Sequence, residues 1–197
     1  MAEQPVLQVF LTSTRPGRAC KPIGDWFFDA AGRHGKFAVE QIDLKQIDLP
    51  MMNEPEHPRL RAYTQKSTKE WSAVVERADA FVFVTPEYNH GFTAPLKNAI
   101  DHLVHEWAYK PVGFVSYGGV AAGTRAVQMI KQVATTLKMM PVYEAVNIPW
   151  FPEFLKDGAF HPTAIHEQAA TALLDELARW EHALRAVREA AAAELSR

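Results

Sequence analysis

The sequence predicts an α/β protein: a doubly wound sheet of five parallel strands in the order 2-1-3-4-5, covered on both faces, with a long C-terminal helix. Three observations lead there. Phe81 to Thr85 is an unbroken aromatic and β-branched run, which is how a strand buried on both faces reads. Strand-like runs alternate with segments of helical period along the chain. Polar loops follow the first, third and fourth strands, and this strand order brings those three ends together at its switch point.

Val6 to Leu11 is apolar and β-prone and makes the first strand. T-S-T-R-P-G-R, Thr12 to Arg18, leads into a helix whose inward stripe is Ile23, Trp26, Phe27, Ala30 and Ala31. A hydroxyl-rich turn at a helix N-terminus suits an anion, because free N–H groups and the helix dipole both favour negative charge. Arg15 and Arg18 add charge-assisted donors for a phosphate. The plainer alternative is a solvated turn. The segment matches neither the lysine P-loop nor G-x-G-x-x-G.

Phe37 to Leu44 reads as the second strand, and the Pro-rich stretch Asp48 to Arg59 has no regular period. Connectors of that length often cover or build a site. Ser67 to Ala78 is a helix with Trp71, Val74, Val75 and Ala78 inward. After the third strand come Pro86, Glu87, Tyr88, Asn89, His90 and Gly91. Thr93 then caps a helix with Pro95 in its first turn. Its stripe, Leu96, Ala99, Ile100, Leu103, Val104 and Trp107, carries the helix to about residue 107. Pro111 to Tyr117 is the fourth strand, ending at Gly118 and Gly119, which permit close backbone approach to a ligand or simply a tight turn. A further helix is marked by Ala126, Ile130, Val133, Ala134 and Leu137, and Val142 to Ile148 is the last strand. Pro149 to Pro162 is irregular, and Ile165 to Ala193 is an Ala-rich helix. Residues 1–197 form one domain, with the motifs in about 6–154 and the terminal helix at about 163–193.

Composition narrows the function. With 48% hydrophobic and 22% charged residues, the chain is an ordinary soluble domain. A net charge of -2 implies no basic face for nucleic acid. The single cysteine, Cys20, excludes an internal disulfide, no leader pattern opens the chain, and no run reaches the roughly 20 apolar residues of a membrane span. A cytoplasmic protein is expected.

T-S-T-R-P-G-R, T-P-E-Y-N-H-G and S-Y-G-G, with P-L-K-N-A-I-D between them and E-W-x-x-K-P at Glu106 to Pro111, resemble the NADPH-dependent FMN reductases. These are flavodoxin-like enzymes related to quinone, azo and chromate reductases. The resemblance covers about Val6 to Phe154. It implies that Ser13, Arg15 and Arg18 hold the FMN phosphate, with Arg18 standing where many members carry serine. It implies that Pro86, Glu87, Tyr88 and Asn89 contact the ribityl chain and ring, and that Ser116, Gly118 and Gly119 approach the pyrimidine side. It further implies hydride transfer from NADPH or NADH to FMN and on to a quinone, flavin or similar small acceptor. The expected state is a homodimer or homotetramer.

Flavin carries its own hydride chemistry, so no side chain is expected as an essential acid or base and no metal is expected. Backbone N–H groups of Gly118 and Gly119 are expected to steady charge on the reduced ring, and a shared donor and acceptor site gives ping-pong kinetics. Glu87 reads as a backbone cap rather than a base, His102 and His105 as a helix face or subunit contact, and Cys20 as packing. His90 sits where it could touch substrate. The alternatives are a flavodoxin-like electron carrier, which the charge balance disfavours, and a flavin-binding redox sensor.

Overall fold

The computed structural model describes residues 4–195. In chain order the elements are β1 (Val6–Leu11), α1 (Cys20–His34), β2 (Ala38–Asp43), α2 (Leu44–Ile47), α3 (Lys66–Glu76), β3 (Ala80–Pro86) and α4 (Ala94–Asp101). There follow β4 (Pro111–Tyr117), α5 (Thr124–Thr136), β5 (Met140–Ile148), a small hairpin of β6 (Leu155–Lys156) and β7 (Ala159–Phe160), and α6 (Ala164–Leu195). The large sheet is parallel throughout, with order β2-β1-β3-β4-β5, as the sequence predicts.

Alternate residues of a strand face opposite sides, and here the two sides are filled differently. Leu7, Val9 and Leu11 of β1 and Val82 and Val84 of β3 join Ile23 and Phe27 of α1 and Leu173 and Leu177 of α6 in one aliphatic-rich core. Phe10, Phe81, Phe83 and Phe114 point the other way, against Trp71 of α3, Leu96 and Ile100 of α4 and Ile130 of α5. Phe10 meets Trp71, Phe81 and Phe83 edge-on at 5.8, 5.8 and 5.3 Å. Gly24 lets α1 lie close on β1: a Cβ there would stand 2.0 Å from Leu11 Cδ2. That close seating fixes where the turn between β1 and α1 emerges.

Several elements differ from expectation. The helix expected to reach Trp107 stops at Asp101; Leu103 is buried just beyond it, and a separate 3-10 turn at His105–Trp107 returns Trp107 to the core. The apolar spacing was real, but two elements share it. β2 ends at Asp43, whose carboxylate caps the unexpected short α2 by accepting from Lys45 N–H at 3.0 Å. The stretch after β5 contains a 3-10 turn at Phe151–Phe154 and the β6–β7 hairpin, turned by Asp157 and Gly158 at φ 51° and 77°. Asp-Gly with both residues at positive φ is a type I′ signal. Among the described residues, no helix is long and apolar enough to cross a membrane, and no three His, Cys, Asp or Glu side chains gather as metal ligands.

Candidate functional site

The ends of β1, β3 and β4 meet at the carboxyl edge of the sheet, and the turn after β1 is pinned there from three sides. Val84 O accepts from Thr12 N–H at 3.2 Å, Thr12 Oγ1 at 3.0 Å and Cys20 Sγ at 3.1 Å. Thr93 Oγ1 donates to Thr12 O at 2.8 Å while accepting from Leu96 N–H at 3.3 Å, so the α4 cap also holds the turn. The largely buried Arg18 guanidinium donates to Ser13 O at 2.7 Å and pairs with Asp43. Ser13 is 1% exposed, and its hydroxyl lies 2.8 Å from Tyr88 Oη.

What this pinning leaves unspent matters. Helix α1 has Ala19 at its N-cap position and no side-chain cap. The N–H groups of Thr14, Gly17 and Arg18 have no acceptor among the described residues, while that of Arg15 makes a long 3.4 Å contact with Ser13 Oγ. Arg15 is exposed, and its guanidinium has no partner among the described residues. Unsatisfied N–H groups, a helix dipole and a free cation therefore lie together. Arg18, expected beside them as a phosphate donor, is instead turned inward.

The loop after β3 is a tight turn. Tyr88 and Gly91 exchange N–H···O bonds of 2.9 Å each, and Asn89 and His90 between them have φ of 50° and 68°. Pro86 closes β3 opposite Tyr117 of β4. Glu87 turns its carboxylate to α5, accepting from Arg125 N–H at 3.3 Å and from Arg125 Nε at 2.5 Å. Burial pushes the Glu87 pKa up, but the Arg125 hydrogen bonds and charge outweigh it and hold the carboxyl below its ordinary range. It is a cap on α5, not a base poised near neutrality.

Ser116 Oγ, fully buried, donates to Asn147 Oδ1 at 3.0 Å. Gly118 N–H donates to Ile148 O at 3.2 Å, so the donation expected from Gly118 is already used; Gly119 N–H has no acceptor among the described residues. The carbonyls of Gly118 and Gly119 accept from Phe151 and Trp150 N–H at 3.4 and 3.3 Å. Gly123, at φ 80°, closes the turn where a Cβ would meet Tyr117 N and O at 2.9 Å. Trp150, 55% exposed, and Val120, 76% exposed, stand beside this turn as apolar surface. No motif marks Trp150 in the sequence, although it follows the carboxyl end of β5 by the same positional rule.

The other candidates are structural. His102 is fully buried, with Nδ1 3.2 Å from Thr68 Oγ1 and Nε2 3.1 Å from Pro50 O; His105 Nε2 meets Arg59 O at 2.8 Å. Cys20 is buried, and burial pushes its thiol up to about 11, so it is not a nucleophile at neutral pH.

A parallel sheet of this order, with its open loops after the first, third and fourth strands, is a flavodoxin-like mononucleotide-binding architecture. The chain belongs to the NADPH-dependent FMN reductase family, whose model matches residues 7–152. It is 44% identical over 149 residues to an NAD(P)H-dependent FMN reductase of Schizosaccharomyces pombe, covering 74% of each chain. It is 29% identical over 196 residues to an NAD(P)H:quinone oxidoreductase of Solanum tuberosum, covering 88% of this chain and 93% of that one. The flavoenzyme FerB, an NAD(P)H:(acceptor) oxidoreductase from Paracoccus denitrificans, shares the fold at a TM-score of 0.73 and 21% identity, covering 90% and 97% of the two chains. The protein is thus an oxidoreductase of a family that uses FMN and NAD(P)H.

Proposed function

We propose that the protein passes reducing equivalents from NAD(P)H through FMN, held on the edge formed by the ends of β1, β3 and β4, to a quinone or similar small acceptor. The observation that carries this reading is the uncapped start of α1 beside Arg15, which has no partner among the described residues, with exposed Tyr88 on the adjoining turn and exposed Trp150 further along the same edge. Those donors suit a dianionic phosphate, and flat side chains suit an aromatic ring. When bound, FMN would supply the two-electron hydride chemistry that the side chains here lack.

The residues divide the remaining work. Arg15 and the N–H groups of Thr14, Gly17 and Arg18 hold the phosphate, while the side chains of Arg18 and Asp43 act as positioning residues by fixing Ser13. Tyr88 and Asn89 wall the ribityl chain and ring, with Pro86 and Glu87 setting the position of their turn. Gly119 N–H would be free to donate to the pyrimidine edge, and Ser116 and Gly118 hold its loop through Asn147 and Ile148. No side chain in this arrangement is needed to move a proton.

One open face serves donor and acceptor in turn, so the kinetics are ping-pong. A second copy of the chain, in a cytoplasmic homodimer or homotetramer, closes the exposed side. The test is to titrate purified protein with FMN and then follow NADPH loss with benzoquinone. Saturable flavin binding and parallel double-reciprocal lines are expected. Absence of flavin binding would overturn the reading, and intersecting lines would overturn the shared face.

A further inference from the structure

Beside the phosphate turn, the structure holds a second concavity that the flavin reading does not use. It is a cavity of about 520 Å³ between the ends of β1 and β2 and the start of α4. Such a volume is in the range of small-molecule sites, roughly 300–1,000 Å³. Thr14 of the phosphate turn forms part of its wall, so the two features are continuous. Leu49, Met51 and Pro95 give it apolar sides, and Lys45 and Asp48 bring opposite charges to its rim. Both charged residues are exposed, and neither side chain has an ion-pair partner among the described residues.

The cavity is preformed rather than a gap under a loose loop. Asn98 donates through Nδ2 to Pro50 O at 2.8 Å and accepts Met52 N–H at 2.9 Å through Oδ1. His102 Nε2 adds a contact to the same Pro50 carbonyl at 3.1 Å. These bonds fix the segment that carries Leu49 and Met51. The side chains then present an apolar slot with a cation and an anion at its mouth, which is chemistry suited to a purine nucleoside with a phosphate or a hydroxyl on its ribose.

Position along the sheet edge agrees. The strands run β2-β1-β3-β4, and the cavity is walled by the loops after β1 and β2 and by the start of α4, while the proposed ring walls follow β3 and β4. The two are neighbours along one edge, one to two strand spacings or roughly 5–10 Å apart. The diphosphate bridge of a pyridine dinucleotide spans such an interval, with the phosphate turn between its two ends.

We infer that this cavity takes the adenosine end of the reduced nicotinamide dinucleotide, with Lys45 drawing the 2′-phosphate of NADPH and Asp48 accepting from the 2′-hydroxyl of NADH. The inference rests on the flavin-reductase reading for its ligand, and it makes the two rim residues determinants of coenzyme choice.

The test uses FMN-loaded protein and adenosine 2′,5′-bisphosphate, titrated by calorimetry. Lys45→Ala is expected to weaken binding about fivefold, the upper range for an exposed ion pair. Asp48→Asn is expected to strengthen it by removing a like charge. In steady state, Lys45→Ala raises KM for NADPH more than for NADH, and Asp48→Asn does the reverse. Bisphosphate affinity and KM ratio both indifferent to Lys45→Ala would overturn the assignment. So would bisphosphate competing with FMN for the apoprotein, since it would then occupy the phosphate turn. Lys45-dependent binding in a protein that holds no FMN would leave the cavity standing and remove the flavin reading; NADPH oxidation with no Lys45 dependence would do the opposite.

Discussion

The hydroxyls of Ser13 and Tyr88 lie 2.8 Å apart, joining two turns that are 75 residues apart in the sequence. This bond ties the turn proposed to wall the flavin ring to the turn proposed to hold its phosphate. Tyr88→Phe leaves the ring surface and removes the bond, which is worth about 1 kcal/mol. The FMN dissociation constant should rise about fivefold, read by quenching of flavin fluorescence. An unaltered constant would mean that the two turns are held without it.

Arg15 has no partner among the described residues, so its removal costs the fold little and the phosphate much. Arg15→Ala should weaken FMN binding by about ten- to a hundredfold, the range for a hydrogen bond to a charged group. Riboflavin, lacking the phosphate, should bind the variant and the parent alike. Equal losses for both flavins would show that Arg15 shapes the turn instead.

Arg18 and Asp43 form a pair with side chains 10% and 5% exposed. Removing one member strands the other charge, which typically costs about 3 kcal/mol or more. Asp43→Ala should therefore lower the urea midpoint strongly and Arg18→Met/Asp43→Ala less than the sum of the single changes. Strict additivity in this cycle would deny the coupling.

Glu54 accepts from Thr64 N–H at 2.8 Å, Thr64 Oγ1 at 2.9 Å and Gln65 N–H at 3.0 Å, tying the long loop to the start of α3. Burial works against the charged form, but these hydrogen bonds prevail and hold the carboxyl down at about 2. The folded value lies below the unfolded one, near 4.3, so the stabilisation is full above that pH and fades as the pH falls through about 2. Glu54→Ala should cost about 1 kcal/mol at pH 7, as loss of a helix cap does, and progressively less from pH 4 downward. Urea melts of both proteins across this range provide the check, and a gap that persists at pH 2 would contradict it.

How much of this was legible in the residues follows from range. Phe81 to Thr85 announces a doubly buried strand because every neighbour is apolar, and Thr93 announces a cap because its role is local. Side-chain allegiance across the fold was not legible. Arg15 and Arg18 look alike on paper, yet only Arg18 is within reach of Asp43, which lies across the β1–β2 edge. Gly118 could not be known to spend its N–H on Ile148, since that bond depends on how β5 leaves the sheet. The helix expected to run to Trp107 shows the same limit: apolar period marks burial, and burial continued after the helix had ended.

Thr93 offers its hydroxyl in two directions at once, upward to the backbone of its own helix and across to the carbonyl of Thr12. The first turn of α4 and the turn proposed to hold the FMN phosphate thus share one hydroxyl. A displacement of α4 therefore has a direct covalent and hydrogen-bonded route to the Thr12 carbonyl through one side chain.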